Sequence, residues 1–449
     1  MTARALGPLW PLGLALALAA AWPVVAYRVH PAVFPALLVA AAVLALVVRR
    51  PAAGIALVLV LAPFTNAALA GGRPLRFLVS GLAVALLAYG LLVERRREPV
   101  GRGLSLAVCL FVAAAGASSL AALDPADSVT SFLGVAVAAV LFFAVVQICQ
   151  RREQFVVVVA GAVGGLLVAG AQGVTQKLSG RVSEAGVLVG DEVVGRVAGS
   201  FSHPNQFAGY LIALIPLALT LAVDRRAASP TMRRLAAVAA TLALAAVAFS
   251  FTRGAVAGLV AGGLVWLAVV RPRIAIVALV AVAIGGAMLT PAALKDRLSD
   301  PTGEDLGLRA DLWRSALDLY RTRPLLGVGL GNFGEAYAQL PSTGTQRRLL
   351  HQRQILLPPH ANNLFLTILA EEGIIGALAF LGLLGAALWS CALAARREDV
   401  LDRALGVGIG AGLCALLAHS LLEYTLFGEV ALPLFALLGV LAAREGASG

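Results

Sequence analysis

The chain has 449 residues, 60% of them hydrophobic and only 13% charged, where a soluble domain carries roughly 25% charged residues. With a mean hydropathy of +0.90 this excludes a soluble globular protein and implies one that lives in a bilayer. The net charge of +11 rests almost wholly on arginine, Lys177 and Lys295 being the only lysines, and it is dispersed in short clusters between apolar runs; such clusters orient a membrane protein, so nucleic acid is not an expected partner.

Apolar runs long enough to cross about 30 Å of hydrocarbon at about 1.5 Å per residue recur along almost the whole chain. They predict about fourteen spans, near 7–26, 32–48, 52–70, 77–93, 104–122, 129–149, 155–175, 205–223, 235–251, 254–270, 274–290, 363–394, 404–422 and 429–443. The first run, "GPLWPLGLALALAAAWPVVAY", is read as a span rather than a cleaved leader because so many spans follow it. If the chain starts inside, the inside connections hold nineteen arginines, among them Arg95, Arg96, Arg97, Arg151, Arg152, Arg396, Arg397 and Arg444. The short outside connections hold four, Arg28, Arg73, Arg76 and Arg253. That asymmetry predicts both termini in the cytoplasm and two long outer loops, 176–204 and 291–361. Small-xxx-small spacing at Gly161/Gly165, Gly254/Gly258/Gly262 and Gly406/Gly410 predicts close helix packing. Cys109, Cys149, Cys391 and Cys414 lie in or beside apolar runs without CxxC spacing and imply neither a disulfide framework nor a metal site.

Three polar motifs interrupt this pattern: "GRVAGSFSHPNQFAGYL" from 195, "FSFTRGAVAGL" from 249 and "PPHANNLFL" from 358. Each precedes a span that runs from outside to inside, so Arg196 with His203 and Asn205, Arg253, and His360 with Asn362 and Asn363 all reach the outer face. Taken singly, each has a structural explanation. Pro204 suits a first helical turn with Ser202 or His203 as its cap, Arg253 marks a turn, and His360 and Asn362 cap the next helix. Their convergence on one face argues for a shared site. Unpaired N–H groups at helix N-termini and the planar charged forks of arginine both suit phosphate oxygens, which points to an anionic lipid headgroup.

The long outer loop carries an amphipathic pattern, "LGLRADLWRSALDLYRTRP" from 306, with Leu312, Trp313, Ala316, Leu317 and Tyr320 on one face and Pro324 ending it. It predicts a helix lying on the membrane surface or roofing a cavity. "LLGVGLGNF" from 325 has no βαβ context and reads as a turn, not a nucleotide loop. The carboxylates of "DPTGED", 300–305, read as solvated surface rather than a metal site.

In this order, "GRVAGSFSHPNQFAGYL", "FTRGA", "RADLWRSALDLYRTRPLLGVGLGNF" and "PHANNLFLTILAEEGIIG" resemble the O-antigen ligase and O-antigen polymerase family of bacterial membrane glycosyltransferases over roughly residues 195–440. The resemblance implies an all-α polytopic bundle of the C-type glycosyltransferase kind with a long, partly helical periplasmic loop. It also implies transfer of a glycan from undecaprenyl diphosphate at the periplasmic face of the inner membrane, with no cofactor. Lipid A core is the acceptor for a ligase, and another lipid-linked repeat for a polymerase. Residue by residue, it makes Arg196 and Arg253 diphosphate contacts and His360 the catalytic residue, with Arg309 and Glu371 at further recurrent positions. The family often has a second histidine where this chain has Asn362. The expected division is residues 1–175 as N-terminal helices, 176–443 as the catalytic membrane region including loop 291–361, and 444–449 as a cytoplasmic tail.

The chemistry agrees. A glycosyl diphosphate already has a good leaving group, so transfer needs positive charge on the departing phosphates and a base near the acceptor hydroxyl. A single displacement inverts the anomeric centre and requires no metal. The competing reading is a solute or ion transporter, but transporters place ionisable groups near the bilayer midplane, whereas these crowd the outer rim.

Overall fold

The computed structural model describes residues 45, 48–67, 75–94, 101–189, 192–274, 276, 304–340 and 360–445. The span expected near 7–26, nearly all of those near 32–48 and 274–290, the arginines at 95–97 and most of the "DPTGED" stretch fall outside them. The described helices are α1 (Pro51–Leu61), α2 (Arg76–Tyr89), α3 (Arg102–Leu120), α4 (Pro125–Ile148), α5 (Arg152–Leu178), α6 (Pro204–Val223), α7 (Pro230–Phe249), α8 (Arg253–Val270), α9 (Glu304–Thr322), α10 (Phe333–Gln339), α11 (Leu364–Ala395), α12 (Val400–Ser420) and α13 (Ala431–Glu445). The fold is an all-α polytopic membrane bundle; among the described residues nine helices are long and apolar enough to cross a bilayer.

Local chemistry sets the starts of these helices. Proline occupies the first turn of α4, α6 and α7, where its missing N–H costs nothing. Asp124, His203, Ser229, Asn363 and Asp399 accept hydrogen bonds from first-turn N–H groups of α4, α6, α7, α11 and α12 respectively. Glycine sets how closely the helices approach. A Cβ on Gly258 or Gly262 of α8 would lie 2.5 Å from the carbonyl oxygens of Ala415 or Ala411 on α12, and one on Gly161 of α5 would lie 2.5 Å from the Cα of Ala56 on α1. Gly406 of α12 meets the α11 backbone at Cys391 in the same way. One continuous apolar core runs from Ile55 through Phe142, Tyr210 and Leu405 to Leu441.

The helix ends gather into two rims. At one, Arg152 pairs with Asp399 at 2.8 Å, Arg397 with Asp402 at 3.4 Å, and Arg444 with both aspartates. These are ends that the alternation of spans assigns to a single side. At the other rim stand the start of α6, the α7–α8 turn, α9, the start of α11 and the end of α12.

Between α5 and α6 the chain forms a two-stranded antiparallel hairpin, β1 (Ser183–Val189) and β2 (Glu192–Arg196), where a plain loop was expected. The run "AGVLVGDEVVGR" is rich in β-branched residues about a Gly-Asp pair, a hairpin signal masked by the apolar spans around it.

The most consequential irregularity lies in α11. Gly373 adopts φ 65° and ψ −165°, a conformation open essentially only to glycine, and divides the helix into a short N-terminal part and a long C-terminal part. The loop after α9 docks on this break. Ile374 N–H donates to Pro324 O (2.8 Å), Val328 N–H to Ala370 O (3.0 Å) and Gly329 N–H to Glu371 O (2.9 Å). The carboxylate of Glu371 accepts from Phe333 N–H at 3.1 Å, which gives this buried glutamate a structural task. Asn332 completes the dock against the α3–α4 turn, accepting from Asp124 N–H at 2.6 Å and donating to its carbonyl. Thus "LLGVGLGNF" is a turn segment, as its sequence reads, and one inserted among the helices. Glu371 and Glu372 are both buried on α11, beside this inserted segment.

α9 forms as its amphipathic pattern predicts, but its buried face is turned from the expected one. Leu312, Ala316 and Leu319 face inward, joined by Phe333, Tyr337, Ala361 and Ala370 in a small separate core, while Leu317 is exposed. The reason is spacing: 312, 316 and 319 follow one i, i+4, i+7 stripe, and 317 lies a quarter-turn beyond it.

Candidate functional site

The α7–α8 turn is built to meet Arg196. Phe251 takes a left-handed φ of 49°, unusual for a residue with a bulky side chain, and so turns the Ser250 carbonyl and the Thr252 hydroxyl toward the end of β2. Arg196 fills that concavity. Its Nε donates to Ser250 O (2.8 Å), and one terminal nitrogen donates to Thr252 Oγ1 (3.0 Å) and Asn205 Oδ1 (2.6 Å).

Asn205 passes the network on. Its Nδ2 donates to a carboxylate oxygen of Glu423, which lies just beyond α12. The same oxygen of Glu423 accepts from Arg309 on α9 at 3.2 Å, and Arg309 also donates to the carbonyl of Leu422. Burial pushes the Glu423 carboxyl up, while Arg309, Asn205 and Arg196 pull it back toward the ionised form. His419, in the last turn of α12, sets Nε2 3.2 Å from the Asn205 carbonyl oxygen, and a side chain on Gly254 would collide with its ring.

His203 and His360 share one local geometry. In "HPN" the Asn205 N–H donates to His203 Nδ1, and in "HAN" the Asn362 N–H donates to His360 Nδ1, each at 3.2 Å. An N–H donor facing Nδ1 leaves the proton of the neutral ring on Nε2. Asn362 reaches this geometry through φ 51°, a region asparagine tolerates. The His360 ring stacks on Tyr424, centroids 5.2 Å apart. Burial, then the nearby positive charge of His203 and Arg309, pushes the imidazole down to about 4. It is therefore neutral at pH 7, and a weaker base than the ordinary imidazole expected from sequence.

Asn363 is the cap of α11: Oδ1 accepts from Leu366 N–H (3.0 Å), and Nδ2 donates to Leu421 O (2.9 Å), tying α11 to the end of α12. Arg253 is the first residue of α8 and adjoins Thr252, but its exposed guanidinium makes no hydrogen bond or ion pair among the described residues. So Arg196, Asn205 and Arg309 belong to one network, His203 and His360 face the same mouth, Asn362 and Asn363 set the backbone there, and Arg253 stands beside it. Glu423, His419 and Tyr424 lie outside every motif the sequence singles out, whereas Thr252 sits within "FTRGA". The signal for these three is the polar run "HSLLEY" at the end of a span, whereas the quoted motifs mark the starts of spans.

Residues 237–381 match the model of the family described as O-antigen ligase, a stretch that opens within α7, closes within α11 and holds Arg253, Arg309, His360, Asn362 and Asn363. No curated protein matches the chain. An O-antigen ligase domain in a multi-pass helical bundle supports a glycosyltransferase-like role in lipopolysaccharide synthesis, with a lipid-linked glycan as substrate. That stretch is similar to the O-antigen ligase and polymerase family, and the match supports assigning it there.

Proposed function

We propose that the protein transfers a glycan from undecaprenyl diphosphate to an acceptor hydroxyl at the periplasmic face of the bacterial inner membrane, in one inverting displacement without a metal ion. The acceptor is lipid A core in a ligase and another lipid-linked repeat in a polymerase. The observation that carries this reading is the gathering of Arg196, Asn205, Arg309, His203 and His360 at one rim of an otherwise apolar bundle. Arginines there offer paired donors to the departing diphosphate, and the N-termini of α6, α8 and α11 open on the same rim. The compartment follows from the arginine asymmetry between inside and outside connections.

His360 is the residue placed to take the acceptor proton. While Asn362 N–H occupies Nδ1, the Nε2 proton makes the ring a donor, so base action requires the ring to turn and break that 3.2 Å contact. The incoming diphosphate adds negative charge beside the ring, offsets Arg309 and raises its basicity when a base is required. His360→Ala is expected to insert and to bind undecaprenyl diphosphate, yet to lose transfer by roughly 10² to 10⁴. Near-normal turnover, or loss of donor binding in step with activity, would leave His360 as a cap or phosphate ligand.

A further inference from the structure

Glu423 is an acidic residue in the middle of a site read here as one for an anion, and a carboxylate beside a bound diphosphate is repulsive unless it does something else. Its surroundings show what that is. Arginine can only donate and a carboxylate only accepts, so an amide between them has one satisfactory orientation, oxygen to the arginine and nitrogen to the carboxylate. Asn205 stands in that orientation, with Oδ1 on Arg196 and Thr252 and Nδ2 on Glu423. Without Glu423 the amide loses the partner that distinguishes its two ends. Arg196 would then keep Ser250 O and Thr252 Oγ1 but lose the fixed acceptor at 2.6 Å.

The same oxygen of Glu423 also holds Arg309, which comes from α9, an element outside the spanning bundle. The carboxylate and the neighbouring Leu422 carbonyl are the polar anchors of that guanidinium on α12's end. With side chains 21% and 10% exposed, Arg309 and Glu423 are shielded enough for the pairing to fix geometry, which an exposed pair seldom does. Arg196, through Asn205, and Arg309 are thereby both set by one oxygen of one buried carboxylate, an arrangement the chain builds before any donor arrives.

We propose that Glu423 is the positioning residue of the donor site, orienting Arg196 through the Asn205 amide and anchoring Arg309 directly, so that both guanidinium groups are arranged in advance for the diphosphate of the lipid donor. This rests on the reading of Arg196 as a diphosphate contact. Pre-arrangement of this kind strengthens binding by removing the cost of ordering two long side chains.

The test is a double-mutant cycle on binding of undecaprenyl diphosphate to the full-length protein in nanodiscs. Glu423→Leu is expected to weaken binding roughly tenfold, the worth of a hydrogen bond to a charged group. In an Arg196→Ala background the same change should cost less than about threefold, because the residue it acts through is gone. Glu423→Gln keeps an acceptor for Asn205 and loses only the charge on Arg309. It should fall between wild type and Glu423→Leu, and it serves as the test if the leucine variant fails to insert; its loss should shrink in an Arg309→Ala background. A wild-type affinity in Glu423→Leu, or losses that multiply fully in the double variants, overturns the proposal. Should Arg196→Ala itself bind normally, the arginine reading fails first and takes this inference with it.

Discussion

At His360 the local chain decides which proton the ring carries. The Asn362 N–H aimed at Nδ1 and the Tyr424 ring stacked on its face hold a neutral imidazole, and burial pushes its titration down to about 4. Since the proton-accepting form is the neutral one, activity should survive as pH falls through the ordinary histidine range and fade only toward the depressed value. The acid limb of kcat/KM for the donor is therefore expected nearer 4 than 6.5, with the limb of kcat higher because bound diphosphate favours the imidazolium. Limbs of both profiles at 6.5 would contradict the buried environment described here.

Arg253 and Arg196 differ in a way their motifs do not reveal. Arg196 is tied to Ser250, Thr252 and Asn205, whereas the Arg253 guanidinium is exposed without a hydrogen bond or ion pair among the described residues. Arg253→Ala should thus leave thermal stability within about 0.5 kcal/mol of wild type while raising the KM for donor. Lysine should restore only part of the affinity, having the charge without the fork. A stability loss with unchanged KM would make Arg253 a packing residue.

Among the elements, α11 carries the most consequence, because its break at Gly373 is where the segment after α9 enters the bundle. A Cβ at Gly373 is disfavoured twice, by its backbone conformation and by the backbone of Leu325 packed against it. Gly373→Ala is expected to destabilise by roughly 1–3 kcal/mol, and to loosen the loop docked through Glu371 and Asn332. Gly382→Ala in the C-terminal part of α11, where nothing lies within 4 Å of an added Cβ, should be neutral or slightly stabilising. Thermal unfolding in detergent would compare them. Equal stability would mean that the break does not hold the loop.

For the whole molecule the question is which rim faces which compartment. The rim at Arg152, Asp399, Asp402 and Arg444 is the one the arginine asymmetry assigns to the cytoplasm. Reporter fusions at residues 98 and 330 are accordingly expected in opposite compartments, the first cytoplasmic and the second periplasmic. The same compartment for both would sink the orientation and the periplasmic site with it.

Hydrophobicity is summed residue by residue, so the sequence alone determined the membrane class, most span positions and the glycine seams where helices touch. It also determined which motifs open on one rim, since spans must alternate. The tertiary structure decided what depends on residues distant in the chain. Glu423 meets Asn205 across 218 positions and Arg309 across 114, and no local period records such pairs. The hairpin at 183–196 was hidden because its short alternation is weak beside long apolar runs. Gly373 was one glycine among many until the backbone of Leu325 lay against it. The sequence could name His360 as polar at a helix mouth, but its depressed titration and its occupied Nδ1 follow from burial and an N–H direction, which exist only once the chain has folded.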